Sequence, residues 1–127
     1  MKDREIKLKC YQDTLEDYVN AVESVCNQLN RLDQRKDLLD EEILLRDQIQ
    51  TIFDLELSLA SMCILLRKMV ENQFITITSE QRRDINSIIH SNRFDFVDED
   101  LLYVYSKQGK EEVSMQNLLL LAKSVFM

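Results

Sequence analysis

Apolar residues recur along the first third of this chain with a seven-residue period. One position of the repeat reads Leu8, Leu15, Val22, Leu29, Lys36, Ile43, and the other, three residues later, reads Tyr11, Tyr18, Val25, Leu32, Leu39. Only Lys36 breaks the set. Alternating steps of three and four place these side chains on one stripe of a helix, and strict heptads favour a supercoiled seam between helices. Polar and charged residues fill the positions between, as a solvated face requires. The run is longer than a globular helix usually needs, so the pattern predicts a long N-terminal coiled-coil element. Its seam residues Leu8, Tyr11, Leu15, Tyr18, Val22, Val25, Leu29 and Leu32 are the candidate partner-binding surface. The plainer reading is an amphipathic helix packed inside its own bundle.

The polar stretch Asp33-Gln34-Arg35-Lys36-Asp37 is the weak point of this element. A helix–helix turn could open there, with Asp37 or Asp40 capping the next helix. The repeat nevertheless stays in phase from Leu32 to Leu39, so one continuous helix is expected, with a helical hairpin as the alternative. Lys36 would then select register, or its long stem would carry the ammonium to water.

Beyond Ile43 the stripe shifts by one position, to Leu45, Ile49, Ile52, Leu59, Cys63, Leu66 and Val70, while Phe53, Leu55, Leu57, Ile64 and Leu65 add apolar surface on other faces. A helix apolar nearly all round must be covered on several sides, which places residues 50–72 at the centre of a bundle. Phe74-Ile75-Thr76-Ile77-Thr78 reads as an extended linker or a strand. Thr78 and Gln81 form a capping-box pair for a short helix from Ser79 to about Ser91, with Ile85, Ile88 and Ile89 facing inward. Between Phe94 and Ser106 two patterns compete. Asp98, Glu99 and Asp100 suit a helix start and Lys107 and Gly109 its end, and this helix is the favoured reading. Leu101-Leu102-Tyr103-Val104-Tyr105 is rich in strand formers, so a short β-hairpin around 101–115 is the alternative. A last helix runs from Glu111 to Phe126, and its broad apolar face supplies Leu118, Leu121 and Val125 as further partner-binding candidates. The expected fold is therefore all-α: a long coiled-coil or hairpin element over 1–73, then a small helical module over 74–127.

Composition supports that class. The 127 residues include one glycine and no proline, too few for the turns of a sandwich or barrel and for any phosphate-cradling glycine loop. The net charge of −7 is spread evenly: residues 1–50 carry 12 acids and 8 bases, the remainder 11 and 8. Without a basic block, binding to nucleic-acid phosphates is not expected. Cys10, Cys26 and Cys63 are an odd, scattered set, which suits reduced thiols in the cytoplasm or nucleus. The charged start reads against a signal peptide. The most apolar stretch, Leu55 to Leu66, is short for a bilayer span, so no membrane span is expected.

Candidate chemistry is thin. The lone histidine, His90, sits near a helix end with no nucleophile in its motif, and the cysteines lack zinc-site spacing. Asp95, Asp98, Glu99 and Asp100 lack the loop of a calcium hand, and Arg67-Lys68 and Arg82-Arg83 lack aromatic interleaving. No catalytic, cofactor or metal residue is assigned, and no small-molecule substrate. The expected role is a non-enzymatic structural or adaptor subunit that oligomerises or binds partner proteins through the seam and the C-terminal helix. The alternative is a small acidic regulator or inhibitor that covers a basic site on an enzyme or nucleic-acid-binding protein.

Overall fold

A computed structural model describes residues 2–34, 40–90, 94–97, 103–106 and 112–127. The order of elements is α1 (Lys2–Gln34), α2 (Glu41–Glu71), α3 (Ser79–His90), β1 (Phe94–Val97), β2 (Tyr103–Ser106), β3 (Glu112–Ser114) and α4 (Met115–Phe126). The fold is all-α in its packing, with one small antiparallel sheet in the order β1-β2-β3.

The long helix expected to run unbroken past residue 34 is instead a hairpin. α1 ends at Gln34 and α2 starts at Glu41, where Asp40 caps it by accepting from the Glu42 backbone N–H at 2.9 Å. The two helices run antiparallel. At one end Arg4 Nη2 donates to the Gln73 carbonyl at 3.0 Å, and Lys7 Nζ donates to Asn72 Oδ1 at 3.0 Å. The physical reason is burial. A straight rod would leave the apolar stripes of both helices in water, whereas folding back sets one against the other. At about 25 cal/mol per Å² of apolar area, that gain outweighs the continuity of a heptad phase. Lys36 and Asp37 lie outside the described residues.

α2 stops without a glycine. Gln73 takes the left-handed conformation at φ 61°, Phe74 N–H bonds to the Met69 carbonyl (2.9 Å) and Gln73 N–H to the Val70 carbonyl (3.0 Å). This is the Schellman pattern, in which a left-handed residue after the helix returns two N–H groups to its last carbonyls. Phe74 then lies 4.3 Å beneath the Arg4 guanidinium and edge-on to Tyr11 at 5.7 Å, so the open end of the hairpin is closed by stacking. Residues 74–78 are an extended connection. Thr78 Oγ1 accepts from Gln81 N–H at 3.0 Å while Gln81 Oε1 accepts from Thr78 N–H at 2.9 Å, the reciprocal capping box the sequence predicts.

The described residues of the Phe94–Ser106 region, where a helix was favoured, form strands at Phe94–Val97 and Tyr103–Ser106, in line with the hairpin alternative. Tyr103, Val104 and Tyr105 face Ser114, Val113 and Glu112 across an antiparallel ladder. β1 adds a third strand through Val97↔Val104, Phe96↔Tyr105 and Phe94↔Ser106, with a bulge between Phe94 and Phe96. Aromatic and β-branched residues favour strands, because a helix restricts their χ1 freedom. Asp98–Asp100, Lys107 and Gly109 lie outside the described residues. α4 begins at Met115, four residues later than expected, because Ser114 is its N-cap and accepts from Asn117 N–H at 3.2 Å.

One apolar core joins all the helices. Leu15, Val19, Val22 and Val25 of α1 meet Leu55, Leu59, Met62, Cys63, Leu66 and Met69 of α2, Ile85 and Ile88 of α3, and Val113, Met115, Leu118 and Ala122 from the C-terminal segment. α4 is tied to α1 by Gln12 Nε2 donating to the Val125 carbonyl at 2.9 Å and by Lys123 pairing with Glu23 at 3.1 Å.

Candidate protein-interaction site

The partner-binding candidates of α1 and α4 are all at least half-buried within this chain, whereas the heptad residue Ile43 is exposed. Leu15, Val22, Val25 and Leu118 are buried, while Leu8, Tyr11, Tyr18, Leu29, Leu32, Leu121 and Val125 are half-buried. Their cover comes from the same molecule. α1 is flanked by α2 on one side and α4 on the other, and Val19 and Cys26 beside the seam widen its apolar stripe to meet both. A stripe of that width is the mark of a globular helix rather than of a narrow two-helix seam. Of the large apolar residues of α4, Leu120, not among the predicted contacts, is the exposed one.

The uncovered apolar surface lies on α2. This helix was expected to be covered on several sides, and it is covered on one. Leu55, Leu59, Met62, Leu66 and Met69 point inward, fully buried. On the opposite face Leu45, Ile49, Phe53 and Leu57 are 56, 61, 51 and 56% exposed, and Ile64 is 39% exposed. Steps of four residues from 45 to 57, then seven to Ile64 with half-buried Ala60 between, keep them on one side of the helix. Ile43 is a further exposed residue near the N-terminal end. Isolated exposed leucines are ordinary, but a contiguous apolar row marks a contact surface.

The same helix is, among the described residues, the one long and apolar enough by length and composition to cross a membrane, which the shorter stretch Leu55 to Leu66 did not suggest. Only 39% of that apolar window is buried in the protein, which measures how one-sided its cover is. The sequence signal for this face was present, since Phe53, Leu57 and Ile64 stand outside the main stripe. What it lacked was the identity of the covering elements.

Charges along α2 as a whole are polarised. Residues 41–56 carry five acids and one base, and residues 57–71 two bases and one acid. Glu42 lies 4.0 Å from Arg46 at one end of the apolar row, and Arg67 lies 3.7 Å from Glu71 at the other; Arg67 is half-buried and the other three are exposed. Surface pairs of this kind hold little energy, so both ends remain available to partner charges.

The remaining reactive groups are dispersed. His90 is exposed at the end of α3. Cys10 is exposed and Cys26 half-buried, whereas Cys63 is enclosed in the core. Burial pushes the Cys26 thiol up, helped by the nearby Glu23 carboxylate, and pushes the Cys63 thiol up further. Neither is a ready nucleophile, because attack needs the thiolate. Among the described residues no three His, Cys, Asp or Glu side chains gather as a metal site. A cleft of about 330 Å³ between the far ends of α1 and α2 is lined by Gln28, Arg31, Leu32, Asp47, Gln50, Thr51 and Asp54. A second, about 490 Å³, lies between α3 and α4 and is lined in part by Thr78, Gln81, Asp84, Asn117 and Ser124. Both hold amides, hydroxyls and carboxylates without an imidazole or thiol beside them. No family model, curated protein or solved structure matches this chain.

Proposed function

We propose that this protein is a non-enzymatic structural or adaptor subunit that assembles with protein chains through the outward face of α2. The observation that carries this reading is the row Leu45, Ile49, Phe53, Leu57 and Ile64, exposed along a helix whose other side is the centre of the core. Water contact with five large apolar side chains is unfavourable by roughly 25 cal/mol for each Å² that a partner would cover. The row is rigidly presented, so binding there orders little and loses little entropy. Three free thiols suit a reducing compartment, cytoplasm or nucleus. The heptad residues of α1 serve this role indirectly, by fixing α2 from behind.

The test is the native size of the protein in cell extract, measured by velocity sedimentation with immunodetection. The expected result is a particle well above the 15.1 kDa of one chain, reduced to monomer size by Phe53→Asp without change in helical content. A wild-type protein that sediments as a monomer in fresh extract overturns the reading.

A further inference from the structure

We infer that the occupant of the α2 face is a second copy of this chain, packed antiparallel about a two-fold axis that passes between Asp54 and Leu55. The inference rests on the interaction reading above and names its first partner. A two-fold contact brings residue i of one copy against residue j of the other and j against i, so a surface that serves it must complement itself when reversed. This row does. Leu45 and Ile64 lie equally far in sequence from the midpoint between Asp54 and Leu55, as do Ile49 and Ala60; Phe53 and Leu57 lie on either side of it, one position out of symmetry. Reversal therefore sets Leu45 against Ile64 and larger Ile49 against smaller Ala60, while Phe53 falls opposite Glu56 of the other copy, with that copy's Leu57 the next residue along.

The charges obey the same axis. Glu42 and Arg67 are equally distant from that midpoint and sit at the two ends of the row. An antiparallel pair places each Glu42 beside the other copy's Arg67, and the acidic half of each helix beside the basic half of its neighbour. A parallel pair would align the acidic halves instead, and like charges across an interface oppose association. Antiparallel helices also place each positive N-terminus near a negative C-terminus. The row from Leu45 to Ile64 spans about 28 Å at roughly 1.5 Å per residue, a contact at the lower end of specific interfaces, so a reversible dimer is expected rather than an obligate one.

The experiment uses the purified full chain. Sedimentation equilibrium up to the high-micromolar range is expected to show a monomer–dimer equilibrium. Phe53→Asp should raise its dissociation constant by about thirtyfold or more, as loss of a central aromatic anchor does. Glu42→Lys and Arg67→Glu should each weaken dimerisation several-fold, and the double variant should restore it, which a merely structural role for either residue would not do. Geometry is read by oxidation in a Cys10→Ser background. Chains carrying Ile49→Cys mixed with chains carrying Ala60→Cys should form a mixed disulfide dimer, whereas either variant alone should not. In the antiparallel register two copies of residue 49 lie on the order of 16 Å apart along the axis, beyond disulfide reach.

A monomer at every concentration overturns self-pairing. So does a dimer that Phe53→Asp leaves intact, or one in which Ile49→Cys chains cross-link to each other. Sedimentation of the monomer with phosphatidylcholine vesicles, lost on Phe53→Asp, would assign the face to lipid and overturn the inference as well. If the purified chain is monomeric while the protein in extract is not, self-pairing fails and the adaptor reading stands. A purified dimer with a monomer in extract would do the reverse.

Discussion

α1 and α2 are both long and both rich in leucine, valine and isoleucine, yet they handle apolar surface in opposite ways. α1 carries a regular stripe whose buried and half-buried members are covered by α2 and α4. α2 carries two faces, one enclosed and one in water. Regularity of spacing thus reports that a helix has a buried face, and it says nothing of whose side chains bury it. Excess is the better pointer to a partner: a helix with more apolar positions than its own chain can cover.

Substitutions that treat the two faces alike should separate them. Val22 in α1 has no exposure. Val22→Asp places a carboxylate among aliphatic side chains with no partner and should abolish the cooperative thermal transition seen by circular dichroism, since such a charge costs more than a small domain's margin of roughly 5–15 kcal/mol allows. A sharper contrast lies within α2, where Leu59 is fully buried and Leu57, two residues away, is 56% exposed. Leu59→Ala should lower the unfolding free energy by about 2–5 kcal/mol in a urea titration. Arg4→Ala, which removes the stacking on Phe74 and the bond to the Gln73 carbonyl, should lower it by about 1 kcal/mol. Leu57→Ala should stay within about 0.5 kcal/mol at concentrations where the chain is monomeric. A comparable loss for Leu57→Ala and Leu59→Ala would mean that α2 does not have a free side.

Much of the local structure was legible. The capping box of Thr78 and Gln81, the cap at Asp40 and the inward isoleucines of α3 depend on residues within one helical turn of each other, and sequence spacing fixes such contacts. The break between Gln34 and Glu41 was harder, because Leu32 and Leu39 hold the heptad phase and nothing local disfavours the helix. The hairpin wins through contacts such as Arg4 with Gln73, 69 residues apart, which no window of sequence contains. The same holds for β1, a four-residue strand whose identity depends on Tyr103–Ser106 lying beside it. At the interaction face the apolar residues were visible, but their exposure was not. Exposure is decided by where α1, α3 and α4 settle around α2, and the heptad residues of α1 drew attention to the side of the molecule that closes on itself.

The bond from Gln12 to the Val125 carbonyl links residues 113 positions apart, and this bears on biosynthesis. As the chain leaves the ribosome, α1 can pair with α2 early, but the part of its stripe reserved for α4 waits until Met115–Phe126 has been translated. At roughly 5–20 residues per second that wait is about 2 to 11 seconds. During it the nascent hairpin shows water a second greasy flank, a transient target for chaperones that the finished protein no longer offers.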